Sequence, residues 1–182
     1  GESVAISGDT LVVGARKEMA VRTVFNLLGP LTNPAGAQGQ IIGVFAKELT
    51  QTLAAVLAEL GTEHALVVHG HDNLDEITVT DMTQVTELRN GKLETWDLDP
   101  RRWFDEFAAP AELVGGDPAE NAAITRAILG GEAGAKANVA IVNAAAAIYV
   151  SGLADHLDAG VEMARQAIAS GAALAKLDAL VV

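Results

Sequence analysis

The chain has 182 residues, of which 50% are hydrophobic and 4% aromatic, with a formal charge of −12. That is long enough to bury a sizeable core within one domain, and the charge argues against a nucleic-acid backbone or an anionic membrane surface as partner, since both attract Lys/Arg-rich faces. Cysteine is absent, so there is neither a disulfide framework nor thiolate chemistry, and with no signal-peptide pattern or apolar run of about 20 residues a cytoplasmic location is expected.

Residues 1–15 (GESVAISGDTLVVGA) carry apolar runs on either side of Gly8-Asp9, a two-residue turn signal, and read as a short β-hairpin. After Arg16 a helical or loop approach ends at Gly29-Pro30. An apolar strand follows from Ile41 to Ala46, and then a helix in which Leu49, Leu53, Val56, Leu57 and Leu60 share a face before Gly61. A strand from Ala65 to Val68 completes a strand–helix–strand order, which predicts a parallel pair with a right-handed crossover. Ile77 to Val79, Val85 to Leu88 and Leu93 to Trp96, with a turn at Asn90-Gly91, predict a small antiparallel addition. The last third reads as helical. Asp117-Pro118-Ala119-Glu120 has the form of an N-cap, a proline at the first helical position and an acid at the third, starting a helix from Pro118 to Leu129 that stops at Gly130-Gly131. Further helices are expected over Asn138 to Leu153, Leu157 to Ser170 and Ala173 to Leu180. The alanines from Ala144 to Ala147 allow a close neighbour, and the β-branched residues around them point to burial on more than one side. The expected fold class is α/β: a mixed, mostly parallel sheet flanked by helices, with a small antiparallel addition and a helical C-terminal third.

Four features have chemical potential. Asp75-Glu76, in GHDNLDEIT, follows the strand Ala65 to Val68, and open α/β sheets place ligands at the carboxyl ends of parallel strands. Two adjacent loop carboxylates suit Mg²⁺, which takes one or two protein acids and fills its shell with water and phosphate oxygens; the alternative is two solvated loop acids. Arg16, Lys17 and Arg22 gather cations in an acidic chain, and an arginine fork donates two parallel hydrogen bonds to a carboxylate, although on the residues alone a solvated basic face or local ion pairs with Glu18 is the favoured reading. Gly29-Pro30 and Asn33-Pro34 stiffen a turn that serves as a wall for a flat ligand or simply as a rigid loop. His69 and His71 flank Gly70 and either orient a phosphate or cap a strand end. Gly115-Gly116-Asp117 resembles a phosphate-binding helix start, but Asp117 would itself occupy that position as a cap. Walker, dinucleotide, nucleophile-elbow and cysteine-based zinc motifs are absent from the sequence.

Taken together, RKEMAVRTVFNLLGPLTNPAG, GHDNLDEIT, GGDPAENAAITRAILGGEAG and VNAAAAIYVSGLADHLDAGVEMARQAIASG resemble the anthranilate phosphoribosyltransferase family in order and spacing, over Arg16 to the C-terminus. The resemblance implies transfer of phosphoribosyl from phosphoribosyl diphosphate to anthranilate, with Arg16 contacting anthranilate, Pro30 lining its pocket, and Asp75 and Glu76 holding Mg²⁺. It assigns no catalytic acid, base or nucleophile. Ala20 stands where the family usually has glycine. The family's GTGGD loop, the loop after it and the KHGN segment have no counterpart before Arg16, so impaired activity is expected. Residues 1–15 instead resemble one hairpin of an integrin-type β-propeller repeat. Two units follow: a hairpin of uncertain origin at 1–15 and a partial phosphoribosyltransferase α/β domain at 16–182. Alternatives that stay open are a non-catalytic fragment or fusion retaining metal or phosphate binding, and a pyrimidine nucleoside phosphorylase-like protein, which the LDEIT and FNLLGPLTNP context fits less well. Beyond the small-molecule substrates, the partners left open are a second copy of the chain or a complementing N-terminal half.

Overall fold

A computed structural model describes residues 3–7, 10–14, 29, 31–32 and 36–181. Its strands are β1 (Ser3–Ser7), β2 (Thr10–Gly14), β3 (Gly39–Gly43), β4 (His64–Gly70), β5 (Thr83–Arg89) and β6 (Lys92–Leu98). They form one sheet in the order β2-β1-β3-β4-β5-β6. The hairpin at the start of the chain is therefore part of the sheet: β1 pairs antiparallel with β3, Ser3 opposite Ile42 and Ile6 opposite Gly39.

Among these pairings only β3–β4 is parallel, with Gly39 opposite His64 and Gly43 opposite Val68. The sheet is mixed, as expected, but it is not mostly parallel, because among the described connections between strands one carries a crossover helix. Parallel neighbours need a crossover of about a dozen residues or more, which the segment carrying helix α1 (Leu49–Glu59) supplies. A tight turn instead joins β5 to β6, where Asn90 (φ 52°) and Gly91 (φ 73°) both take left-handed backbone. The loop 71–82, which contains no helix, returns β5 antiparallel to β4.

β4 is the centre of the fold, and alternation along it builds two cores. Leu66 and Val68 join Ile41, Val85, Leu98, Val142 and Tyr149 on one face. Ala65 and Val67 join Ile42, Leu53, Ala54, Leu57 and Leu88 on the other, beneath α1. On α1 the buried positions are Thr50, Leu53, Ala54 and Leu57; Val56 and Leu60, assigned to that face from spacing, are 37% and 60% exposed. Leu60 lies past the last helical residue, and the buried face includes a polar contact instead: Thr86 donates to Thr50 Oγ1 at 3.0 Å and Gln84 Nε2 donates to it at 2.8 Å.

The helical third comprises α2 (Pro118–Leu129), α3 (Ala135–Val150), α4 (Leu157–Ala169) and α5 (Ala172–Leu180). α3 covers the sheet face opposite α1 and is buried on two sides. Val142 and Ala146 meet the sheet, while Ile141 and Ala145 meet Val161 and Ala164 of α4. The alanines do permit close approach: a Cβ on Gly160 would lie 2.6 Å from the Ala145 carbonyl oxygen. Two expected elements differ. The first strand of the parallel pair starts and stops earlier than Ile41 to Ala46, and Ile77 to Val79 forms no strand. Ile77 and Val79 are nevertheless fully buried, so their apolar character reports core-facing loop positions.

Candidate functional site

Asp75 and Glu76 lie in the loop 71–82 at the carboxyl end of β4, beside the matching end of β3. Asp72 shapes this loop. Its carboxylate accepts from the Leu74 N–H at 3.1 Å and the Thr78 hydroxyl at 2.6 Å, and also from the Thr80 hydroxyl. The Gly70 N–H donates to the Leu74 carbonyl at 2.8 Å, and Asn73 donates back to the Gly70 carbonyl at 2.8 Å. Asn73 holds φ 70°, a left-handed conformation that asparagine tolerates better than most residues. A Cβ on Gly70 would sit 2.4 Å from Asp72 Oδ1, so any larger residue there would displace the carboxylate that organises the loop.

The acidic pair is pinned at two points. At Asp75 itself, the backbone crosses the end of β3 so closely that a Cβ on Gly43 would fall 1.5 Å from the Asp75 carbonyl oxygen. After it, Ile77 is gripped by Asn143 of α3: the Ile77 N–H donates to Asn143 Oδ1 at 3.1 Å, and Asn143 Nδ2 donates to the Ile77 carbonyl at 2.8 Å. Asp75 is half-buried and Glu76 exposed. Among the described residues no three His, Asp or Glu side chains converge on one point, so a cation at this loop would take two carboxylates from this part of the chain. Its remaining ligands would be water or anion oxygens, a donor set that suits Mg²⁺.

The histidines next to the acids are each held by a scaffold contact. His69 is 6% exposed, and its Nδ1–H donates to the Val44 carbonyl at 2.8 Å. His71 Nε2 lies 3.0 Å from Asp97 Oδ1 and ties the loop to β6. At Asp117 the cap reading holds. Its carboxylate accepts from the N–H groups of Ala119 at 2.8 Å and Glu120 at 2.9 Å, and Glu120 accepts from the Asp117 N–H at 2.8 Å. The donors that a phosphate would need are thereby used.

Arg16 and Pro30 lie outside the described residues, as do Lys17, Arg22, Asn33 and Pro34. Leu31, next to Pro30, packs on the α1-side core and lines a cavity of about 100 Å³ with Gln38, Gln40, Leu57 and Thr62. That cavity is at the start of β3, whereas Asp75 is at its end, so Leu31 and the acidic pair occupy opposite ends of the strand. Sequence reasoning missed Asp72 and Asn143, the two side chains that set the loop. Asp72 carried one signal, an acid directly followed by the turn-favouring Asn73; Asn143, within an alanine-rich helix, carried none.

A second polar cluster occupies the far end of the sheet. Tyr149 donates to Glu87 Oε1 at 2.7 Å, His64 Nε2 lies 3.0 Å from the same oxygen, and Arg89 donates to the Tyr149 hydroxyl at 2.9 Å. Burial alone would raise the Glu87 pKa, but the hydrogen bonds from His64 and Tyr149 with the charges of His64 and Arg89 outweigh it and hold the carboxyl below its ordinary value. Burial first, and then the Glu87 contact, push the Tyr149 phenol up to about 12.

The glycosyl transferase family, a/b domain, matches residues 3–174. An anthranilate phosphoribosyltransferase from Desulfosudis oleivorans is 52% identical over 167 residues, covering 91% of this chain and 49% of the relative. Another from Acetivibrio thermocellus is 47% identical over 168 residues, with 92% and 49% covered. Among solved structures, anthranilate phosphoribosyltransferase from Thermus thermophilus superposes with a TM-score of 0.79 at 42% identity, covering 87% of this chain and 47% of that one. The Saccharomyces cerevisiae enzyme in complex with PRPP and Mg gives a TM-score of 0.76 at 30% identity, with 87% and 46% covered. The chain thus spans about half the length of the curated relatives it matches. With the family's match running through the sheet, the loop after β4 and the helical third, the chain belongs to the glycosyl transferase family and carries its a/b domain.

Proposed function

We propose that the chain serves phosphoribosyl transfer from phosphoribosyl diphosphate to anthranilate, with Asp75 and Glu76 as the acids that hold Mg²⁺. The observation that supports this most is the placement of the pair on a loop clamped at the carboxyl ends of the only parallel strands among the described residues. In the reaction the bond from the ribose carbon to diphosphate breaks and a bond to the anthranilate amine forms, and the amine gives up a proton. Mg²⁺ bound there would supply positive charge against the diphosphate as negative charge gathers on it. Asp75 and Glu76 fix where that charge sits, and the clamp keeps it there without reorganisation during the reaction.

Arg16 and Pro30 extend the proposal by resemblance. Arg16 would hold the anthranilate carboxylate through its guanidinium fork, and Pro30 would wall the ring. The amine needs little activation, so positioning is their contribution. Known complexes support the ligand classes: the Saccharomyces cerevisiae enzyme is in complex with PRPP and Mg in one structure and with 4-fluoroanthranilate in another. A cytoplasmic location belongs to this proposal, as does a partner in the form of a second copy or of a chain resembling the other half of the relatives.

The test is consumption of anthranilate by the chain in the presence of phosphoribosyl diphosphate and Mg²⁺, alone and with the separately produced N-terminal half of the Thermus thermophilus relative. A unit-charge contact at ~4 Å is worth about 4 kcal/mol before desolvation at an effective dielectric near 20. Asp75→Ala should therefore lower turnover on the order of 10²-fold once desolvation is deducted. Mg²⁺-dependent diphosphate binding without turnover in either arm would support the non-catalytic alternative, and absence of both would overturn the assignment of the acids.

A further inference from the structure

We propose that Asn143 of α3 is a positioning residue for the acidic pair: by pairing with both backbone polar groups of Ile77, it sets where Asp75 and Glu76 stand relative to the strand ends. The inference rests on the reading of the pair as a Mg²⁺ site and adds a residue from a distant element to it.

The geometry leaves Asn143 little freedom. Its Oδ1 accepts from the Ile77 N–H at 3.1 Å, while Nδ2 donates to the Ile77 carbonyl at 2.8 Å and to the Val139 carbonyl at 3.0 Å. Both amide hydrogens are therefore used, and the orientation of the amide is fixed by its partners, because a backbone N–H must face oxygen and two carbonyls must face NH₂. The side chain thus pairs with Ile77 as a neighbouring strand would, at a residue that belongs to no strand. The Ile77 side chain is fully buried in the core between α3 and the sheet, which secures its depth. Burial of an apolar side chain is non-directional, however, and leaves the backbone free to rotate about that anchor. The two hydrogen bonds remove this freedom. With the Asp75 backbone held against Gly43, Glu76 is the single residue between two fixed points, and both carboxylates start from a backbone that cannot drift.

A purely structural role would make Asn143 matter for folding and nothing else, so the test separates the two. The full chain is titrated with Mg²⁺ in the presence of inorganic diphosphate by calorimetry, with thermal unfolding measured on the same samples. Three proteins are compared: wild type, Asn143→Ala, and Leu88→Ala, which empties a core position at the far end of the sheet on the α1 face. The expected result is that Asn143→Ala weakens Mg²⁺ binding ~10–100-fold, the usual effect of removing a group that orients a metal ligand, while Leu88→Ala lowers the melting temperature and leaves Mg²⁺ binding as in wild type. Asn143→Asp keeps the acceptor for the Ile77 N–H but sets a carboxylate oxygen against the Ile77 and Val139 carbonyls, so it should weaken Mg²⁺ binding at least as much as Asn143→Ala, with faster hydrogen exchange at Ile77 in both variants. If neither variant folds, Asn143→Ser, which is small and keeps a hydroxyl, is read by the same two measurements. Wild-type Mg²⁺ affinity in a folded Asn143 variant, or an equal loss in Leu88→Ala, would overturn the inference while leaving the Mg²⁺ reading intact. Absence of Mg²⁺ binding in wild type would overturn both, so the two failures differ in the wild-type titration.

Discussion

Glu87 and Tyr149 give the clearest pH signature. Glu87 titrates below its ordinary 4.5 in the folded chain, so its ionised form stabilises the fold above that value, and the contribution is lost as pH falls from about 4.5 through the lowered folded pKa. Tyr149 is shifted the other way, from 10.0 to about 12. Its contribution is complete below pH 10 and is lost as pH rises toward about 12, because the unfolded chain releases the proton first. Denaturant unfolding at several pH values should show both limbs, and Tyr149→Phe should flatten the alkaline one. Gly43 makes a second prediction: Gly43→Ala places a Cβ on the Asp75 carbonyl, so the loop must move. A loss of about 2 kcal/mol or more in unfolding free energy, within the range for overpacked sites, should accompany weaker Mg²⁺ binding; unchanged values for both would contradict the close approach described above. At this scale the sequence was only partly legible. DNLDEIT marked Asp75 and Glu76, yet whether a nearby side chain supports an acid depends on a neighbour 66 residues away, as in the Asn143–Ile77 pair, and periodicity carries no trace of that.

Among the elements, α2 shows how far local chemistry reaches. Its start at Pro118 and end at Leu129 follow from the Asp117 cap, the proline after it and Gly130-Gly131, all readable in order along the chain. α2 also buries none of its residues completely, so loss of its cap is offset less by tertiary packing than it would be in a buried helix. Asp117→Ala should cost about 1 kcal/mol, and hydrogen exchange should locate the effect as faster exchange along α2 with α3 unchanged. Unchanged exchange in α2 would contradict it. The β5–β6 hairpin was equally legible, since Asn90-Gly91 names its own turn. α1 was legible as a helix but not in all of its buried face: the leucine spacing selected a face containing Leu60, which is exposed, whereas Thr50 is buried against Thr86 and Gln84. Ile77 to Val79 failed for the opposite reason, because a short apolar run records burial and not the backbone that delivers it.

For the molecule as a whole, the hairpin β1–β2 occupies the side of β3 away from β4 and leaves β2, not β3, at the sheet edge. Removing residues 1–14 would expose the hydrogen-bonding edge of β3, where Gln40, Ile41 and Ile42 are otherwise buried, and uncovered edges invite pairing with other chains. The shortened chain should melt at lower temperature and grow in light scattering with concentration; a monomeric chain of unchanged stability would show that β3 does not depend on the hairpin. By itself the sequence determined the helical third, the Asn90-Gly91 turn and the β3–α1–β4 crossover, because each is written in contiguous residues through caps, a turn dipeptide and a strand–helix–strand order, whereas the Gly8-Asp9 turn lies outside the described residues. Only the tertiary structure decided that the sheet has a single parallel pair among its described strands, that β1 seals β3, and that Gly43 and Asn143 clamp the acids. Those outcomes depend on how each connection packs and on close approach between residues far apart in the chain, where the energy lies in the fit of one element against another.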